Sequence, residues 1–387
     1  MINILFITIY TGIGGGESIQ LNLMRAIDRE RYRIHLLTPE PGAFTRAAEE
    51  LGVSVHYVPF RGTIRFFIPS LWKRFPIVHT LKTFLQEHHI DVVMSDYHSL
   101  PYCVPAARSQ GIPVLWNVMG WWFPLFWWQR NFFRTQVDTI IAITDSVKEK
   151  WLGQPPGLPP ENIQVIIPGI DTDYFTPNID RAAIRKQLGV GPNTPVVAMA
   201  ARFQVNKGHE YFLEAARIIA QAFPETRFLV AGDNVFKVAK DEAYKRSILA
   251  MKENDPLLRD RVTYLGFYPD VREIMAAADV MVCSSYFESL LMVALESMAM
   301  ERPIVSTEVG GPSETIVDGE TGFLVPPYDG KAIAEKVIVL LKDPELRRKM
   351  GIAGREYVLE HLSIERYTEK LCAIFDDMIA TYAHYSV

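Results

Sequence analysis

Residues 287–296 read FESLLMVALE, with two carboxylates, Glu288 and Glu296, eight positions apart. An apolar strand, 278–285, ends in small hydroxyl residues before this stretch, and the apolar run 290–300 predicts a helix after it. Glu288 is expected in the loop or first turn and Glu296 two turns inside, so both can face one ligand from different sides. Free N–H groups at the helix start suit phosphate oxygens. The pattern predicts a nucleotide-sugar site. The alternative is an ordinary helix cap beside a solvated glutamate.

The bulk properties are those of a globular protein of 387 residues, which predicts two domains. The net charge of −5 argues against a general preference for nucleic acid. Cys103, Cys283 and Cys372 show no metal-ligand spacing, which favours a reducing compartment. The apolar start, 1–10, lacks a basic lead-in and predicts a first buried strand rather than a signal peptide. We therefore expect a cytoplasmic protein.

Short apolar runs alternate with amphipathic segments, which is typical of parallel sheets with crossover helices. The predicted strands are 2–9, 33–38, 54–58, 91–94, 112–116, 138–143, 163–167, 195–201, 227–231, 262–265, 279–283, 303–306 and 322–325. The predicted helices are 17–28, 42–51, 76–88, 101–110, 208–222, 240–253, 270–277, 290–300, 312–317 and 329–341. The fold class is α/β, with two facing Rossmann-like β/α/β domains and a cleft between them. We place the domains at 1–178 and 179–362, and the terminal helix, 363–387, is expected to pack back onto the first.

In each predicted domain a loop with possible phosphate-binding residues follows the first strand. It is a glycine loop in the first domain and a basic loop in the second. Arg202 and Lys207 are five residues apart, and together they could grip a diphosphate and stabilise charge on a leaving group. Gly14, Gly15 and Gly16 let backbone N–H groups approach a phosphate. This glycine loop resembles the dinucleotide fingerprint, but Glu17 replaces its last glycine. An NAD-linked oxidoreductase is therefore one alternative.

The sequence Asp171-Thr172-Asp173 spells a D-x-D motif near the predicted domain boundary. Metal-dependent glycosyltransferases use this motif to hold a divalent ion. Short acidic motifs recur by chance, and we favour a turn and capping role here.

These pieces together resemble the retaining GT-B glycosyltransferases of family 4, the glycosyl transferases group 1. The family's E-x7-E motif matches Glu288 and Glu296, its cations match Arg202 and Lys207, and its glycine loop matches 14–16. The stretches 310–314, 318–325 and 167–171 also look like the family. The resemblance covers most of the chain and is strongest over about 196–360.

The resemblance implies a role for each matching residue. Glu288 would contact donor-sugar hydroxyls, and Ser289 and Leu290 would place N–H groups near the phosphate. Leu291 would also belong to the donor site. Glu296 would bind the ribose, and the loop at Gly266 and Phe267 would flank the base. Arg202 and Lys207 would hold the diphosphate without a metal or other cofactor. Transfer would retain the anomeric configuration, and the acceptor would be a glycan or a lipid-linked molecule of cell-surface polysaccharide or glycolipid synthesis.

The first half departs from the family pattern. Many relatives carry a histidine after the strand that residues 114–116 match, whereas this chain has Asn117 and Met119 there. Met119 cannot do acid–base work, so His98, beyond another strand, is the candidate for that role. A surface or capping histidine is the alternative.

An aromatic segment, residues 120–134, reads GWWFPLFWWQRNFFR. Tryptophan beside arginine suits an anionic bilayer surface, with peripheral rather than spanning attachment. The residues concerned are Trp121, Trp122, Trp127, Trp128, Arg130 and Arg134. A buried core, a domain seam and a protein-partner surface are alternatives.

A non-catalytic glycan- or partner-binding module is the remaining alternative for the chain as a whole.

Overall fold

The computed structural model describes residues 1–61, 76–120, 126–152, 158, 163–234 and 238–385. The chain divides into two compact units. The first contains Met1–Gly169 together with Ile364–Val387, and the second contains Ile170–Ser363. The boundary predicted near residue 178 therefore lies inside the second unit.

The described part of the first unit forms a seven-stranded sheet in the order β3-β2-β1-β4-β5-β6-β7. Its pairings are parallel. The strands are β1 Ile2–Ile7, β2 Tyr32–Thr38, β3 Ser54–Tyr57, β4 Val92–Ser95, β5 Val114–Val118, β6 Thr139–Ala142 and β7 Ile163–Val165. The helices before the crossing to the second unit are α1 Gly15–Ala26, α2 Ala43–Glu50, α3 Pro76–Glu87, α4 Leu100–Arg108, α5 Trp127–Gln136 and α6 Asp145–Leu152.

The described part of the second unit forms a six-stranded parallel sheet in the order β10-β9-β8-β11-β12-β13. The strands are β8 Val196–Ala200, β9 Arg227–Ala231, β10 Val262–Gly266, β11 Val280–Cys283, β12 Ile304–Thr307 and β13 Phe323–Val325. The helices are α7 Arg181–Gln187, α8 His209–Ala222, α9 Ala239–Asn254, α10 Val271–Ala277, α11 Met292–Ala299, α12 Pro312–Thr315, α13 Gly330–Lys342 and α14 Pro344–His361.

Burial explains why these runs form parallel strands. Residues 4–7 of β1 and 196–199 of β8 are each at most 1% exposed. A strand covered on both faces by helices reads as continuous apolar sequence rather than as alternation. In both sheets the strand order reverses beside this central strand, between β1 and β4 and between β8 and β11. Ligands of such sheets bind beyond the carboxyl ends of the strands at the reversal, which directs attention to the loops there.

The terminal helix, α15 Ile364–Tyr385, belongs to the first unit. Asp376 on this helix accepts hydrogen bonds from Arg31 at 2.5 Å and from the hydroxyl of Tyr32 at 2.9 Å. Tyr382 donates a further hydrogen bond to Asp138. Leu371 and Phe375 of the helix are fully buried, so its apolar face packs on the unit from which the chain started. None of the helices in the described part of the chain combines the length and the hydrophobicity that a membrane-spanning helix needs.

Candidate active site

Two loops of the second unit meet at the reversal of strand order. The basic loop after β8 ends in a short 3₁₀ turn, Val205–Lys207, and the other loop follows β11. Ser284 donates a hydrogen bond to the carbonyl oxygen of Lys207 at 3.1 Å, and the N–H of Tyr286 donates to the carbonyl oxygen of Asn206 at 3.0 Å. These bonds hold the loop that carries Arg202 and Lys207 against the loop that carries Glu288.

A tight turn at Gly208 makes this approach possible. Gly208 has φ of 62°, in the left-handed region, and a Cβ at this position would collide with the carbonyl oxygen of Ser284. Only glycine avoids both the strain and the collision. The turn at Gly208 therefore allows the loop that carries Lys207 to lie against the end of β11.

The centre of the site is an ion pair between two of the predicted catalytic residues. Lys207 Nζ lies 2.5 Å from Glu288 Oε1, and the side chains are 15% and 8% exposed. The Ser285 hydroxyl donates to the same carboxylate oxygen at 2.7 Å. Little water reaches the pair, so its electrostatic interaction is stronger than that of a surface salt bridge. Ser285 was not among the predicted site residues, although the small hydroxyl residues after the strand were the available signal.

Arg202 lies two residues after the end of β8 and is half-buried. The backbone before it is fixed by a close approach, because a Cβ on Gly232 would collide with the carbonyl oxygen of Ala201. The N–H of Phe203 donates to the carbonyl oxygen of Asp233 at 3.4 Å. Arg202 and Lys207 thus stand on one loop whose two ends are both anchored.

Residues 288–291 form the loop before helix α11, which begins at Met292 rather than at the predicted position 290. The loop rests against Gly311, where a Cβ would lie 2.6 Å from Leu290 Cα and 2.7 Å from the carbonyl oxygen of Ser289. This contact fixes the backbone of both residues. The N–H groups of Ser289, Leu290 and Leu291 lie at the start of the helix, where the macrodipole favours an anion.

Glu296 lies inside α11 and is half-buried. Burial raises the pKa of this carboxyl group to about 7, because desolvation disfavours the charged form. A carboxyl group whose pKa burial raises toward neutrality is more typical of functional sites than of helix surfaces. The structure thus places both glutamates of the opening motif on one loop–helix element.

Gly266 ends β10, an edge strand of the described sheet, and Phe267 follows it. Gly266 has φ of 67°, and Phe267 is 68% exposed. An exposed aromatic ring after a strand offers a flat surface for another ring. The contact of Gly266 and Phe267 with the nucleotide base stays a prediction.

The glycine loop belongs to the first unit, whereas the residues described so far belong to the second. Gly14 caps α1, and its N–H donates to Glu17 Oε2 at 2.8 Å. A Cβ on Gly16 would contact the side chain of Met119 at 3.6 Å. The carboxylate of Glu17 takes one of the N–H groups that a dinucleotide pyrophosphate would need, which argues against an NAD site.

His98 also lies in the first unit, near the reversal between β1 and β4. Its ring contacts Tyr10 edge-on at 5.9 Å between centroids, and its Nδ1 is buried without a hydrogen-bond partner among the described residues. Asp96 accepts hydrogen bonds from Thr8 at 2.7 Å and from the N–H of Ser99 at 2.8 Å. Burial, together with the charges of Asp96 and Glu17, raises the pKa of Tyr10 to about 12. Sequence reasoning missed Tyr10 and Asp96, although both follow buried strands.

The D-x-D motif has the predicted turn role. Asp171 Oδ1 accepts hydrogen bonds from the N–H groups of Asp173 at 3.1 Å and Tyr174 at 2.9 Å. Its carboxylate thus caps the backbone that follows it.

The aromatic segment is only partly described, because Trp121 and Trp122 lie outside the described residues. Phe126 is 64% and Trp127 is 75% exposed, and Trp128 is half-buried. Arg130 is half-buried and Arg134 is exposed. Phe132 and Phe133 are buried in the core of the unit. Helix α5 therefore combines a core face with an exposed aromatic start.

Comparison with known proteins identifies the family. The model of the family described as "Glycosyl transferases group 1" matches residues 180–357, and that of "Glycosyltransferase Family 4" matches residues 13–174. The putative glycosyltransferase EpsD of Bacillus subtilis (strain 168) is 32% identical over 282 residues, which cover 70% of this chain and 71% of that protein. The alpha-maltose-1-phosphate synthase of Mycolicibacterium smegmatis is 28% identical, over 77% of each chain.

Solved structures show the same fold. The crystal structure of Anabaena HepE in complex with UDP has a TM-score of 0.84 to this chain at 21% identity, and the match covers 97% of this chain and 100% of that chain. Its fold and the two family matches agree with the two parallel sheets described above. The chain therefore belongs to the family 4, group 1 glycosyltransferases and is a glycosyltransferase of the GT-B fold.

Proposed function

We propose that this enzyme moves a sugar from a nucleotide-diphosphate sugar to a glycan or lipid-linked acceptor, with retention of configuration and without a metal. The observation that supports this most is the shielded pair of Lys207 and Glu288 at the end of the central strands. HepE of Anabaena, which shares the fold, has been solved with UDP and with UDP-glucose. Membership of the glycosyltransferase family excludes the NAD-linked oxidoreductase.

The donor would bind mainly on the second unit. Arg202 and Lys207 would hold the diphosphate together with the N–H groups of residues 289–291. Glu288 would accept hydrogen bonds from sugar hydroxyls, and Glu296 would accept them from the ribose. Phe267 would stack on the base beside Gly266.

The reaction breaks the bond between the anomeric carbon and the diphosphate oxygen. The acceptor oxygen forms the new bond on the same face of the sugar, and its proton passes to the leaving diphosphate. Charge therefore develops on the diphosphate, where Arg202 and Lys207 supply the compensating cations. His98, whose buried Nδ1 has no hydrogen-bond partner in the described part of the chain, would orient the acceptor in the first unit.

A donor-hydrolysis screen tests this proposal. We expect the purified enzyme to release nucleoside diphosphate from one of the UDP-, GDP- and ADP-sugars at a slow but measurable rate without acceptor, and in the presence of EDTA. The anomeric configuration of the released sugar, followed by NMR, tests retention. Binding of a nucleotide sugar without turnover on any acceptor would favour the non-catalytic module instead.

We also propose that the enzyme is a cytoplasmic protein that attaches to an anionic membrane surface through the start of α5. The exposed rings of Phe126 and Trp127 support this proposal, with Arg134 as an exposed cation on the same helix. Trp127→Ser is expected to lower co-sedimentation with phosphatidylserine vesicles at least threefold, because a large interfacial ring is lost. Met251→Ser, which changes an exposed apolar residue of the second unit, is the matched control. Equal loss in both variants, or in neither, would contradict the attachment.

A further inference from the structure

Three histidines from different elements converge in the first unit. His35 lies on β2, His56 lies on β3, and His88 directly follows α3. One ring nitrogen from each histidine can be chosen so that all three lie within 4.8 Å of one another. His35 Nδ1 and His56 Nε2 are 3.2 Å apart. Nothing in the proposed glycosyl transfer uses these residues.

We propose that these three imidazoles bind one divalent transition-metal ion, with Zn²⁺ as the preferred ion. Imidazole nitrogen suits zinc, with metal–nitrogen distances of about 2.0–2.1 Å, which places two ligands of a tetrahedral ion roughly 3.3 Å apart. The distance between His35 Nδ1 and His56 Nε2 is close to this value. Three protein ligands leave a fourth position for water.

The surroundings of the cluster favour neutral, ligand-competent rings. Phe84 packs against the rings of His35, His56 and His88 with centroid distances of 6.4, 4.8 and 4.3 Å. Burial lowers the pKa of His35 and that of His56, which favours the neutral ring. The positive charge of nearby Arg33 would repel a metal ion. Arg33 is exposed, however, so solvent screens its charge.

A hydrogen bond between two imidazoles would explain the short distance between His35 and His56. It would not explain why the third imidazole is at the same place. A bound ion accounts for the convergence of three rings from three elements.

The position of the cluster indicates a structural ion. His35 lies midway along β2, in register with Leu5 of β1 and Ser54 of β3, and not at the carboxyl ends of the strands, where His98 and the glycine loop lie. β3 is an edge strand of the described sheet. An ion here would connect the edge strand and the end of α3 to β2, and so would stabilise the first unit without taking part in transfer.

Metal binding to tag-free, EDTA-treated full-length protein tests the proposal. We expect one equivalent of Zn²⁺ by elemental analysis after dialysis, and a visible absorption band from Co²⁺ in the same site. Zn²⁺ at about a hundredfold excess over its Kd should raise the Tm by about 5 °C. His88→Gln and His56→Gln should each weaken Zn²⁺ affinity at least tenfold in calorimetric titration. His79→Gln, an exposed histidine of α3, is the matched control and should bind as the wild type does.

Three results would overturn the proposal. Wild-type protein that takes up none of Zn²⁺, Co²⁺ or Ni²⁺ would show that the rings only pack together. Equal Zn²⁺ affinity in wild type, His88→Gln and His56→Gln would place any bound ion elsewhere. A loss of Zn²⁺ affinity in His79→Gln as large as that in His88→Gln would do the same. Far-ultraviolet circular dichroism of each variant separates lost binding from lost folding.

Discussion

Lys207→Met is expected to lower the kcat of donor hydrolysis about 10²- to 10³-fold. The ammonium group of Lys207 is held at the end of the central strands by its 2.5 Å contact with Glu288 Oε1. In the proposed reaction it faces negative charge that grows on the leaving diphosphate, so its loss acts mainly on the transition state. Methionine keeps much of the length of the side chain and removes the charge. Steady-state release of nucleoside diphosphate measures the effect.

The same substitution also removes the cation from a carboxylate that is 8% exposed. An unpaired buried charge destabilises a fold by several kcal/mol, here about 2–3 because Ser285 still donates to Glu288. The double variant Lys207→Met/Glu288→Gln should recover much of that stability and remain inactive. Recovery of stability without activity separates the structural role of the pair from its role in transfer.

Lys186→Met, which changes an exposed lysine on α7 of the same unit, is the control and should keep wild-type kinetics and stability. If Lys207→Met kept the wild-type kcat and only its KM rose, the lysine would bind donor and transition state equally. That result would remove Lys207 from the transition-state role.

Much of the second unit could be predicted from sequence because its buried strands are continuous apolar runs. The run at 196–199 and the run at 280–283 identify β8 and β11, and the rule for carboxyl ends places the loops after them together. The contact between Lys207 and Glu288 follows from that placement. The partner hydroxyl of Ser285 could not be assigned, because its orientation depends on the loop geometry.

Two helices and the histidine cluster were not predicted from the sequence, either because no local sequence pattern marks them or because the pattern was missed. Helix α5 was not predicted, because its aromatic residues divide between an exposed start at Trp127 and a core face at Phe132, and this hides the helical period. Helix α14 had a readable start, since Asp343 caps it just before Pro344. The histidine cluster joins positions far apart in the chain and has no spacing that sequence alone could show.

Glu296→Gln is expected to weaken donor binding and stabilise the fold at the same time. Burial raises the pKa of Glu296 from 4.5 to about 7, so the folded state favours the neutral acid. Its contribution to stability is therefore fully present below pH 4.5 and is lost as the pH rises through about 7. The amide is neutral at every pH. At pH 8 the variant should be more stable by about 1–2 kcal/mol, a value reduced because solvent reaches part of the side chain.

Donor binding should change in the opposite direction, because a carboxylate accepts ribose hydroxyl bonds more strongly than an amide. We expect the donor KM to rise roughly tenfold or more at pH 8, and the wild-type KM to rise as the pH falls below 7 while that of Glu296→Gln stays flat. Denaturant unfolding and donor KM, each measured from pH 5 to pH 8, provide both readouts. Glu335→Gln, whose side chain is 63% exposed, is the control and should change neither quantity. A Glu296→Gln variant with wild-type KM at pH 8 would remove the ribose-binding role, and unchanged stability there would show that the buried carboxylate costs the fold nothing.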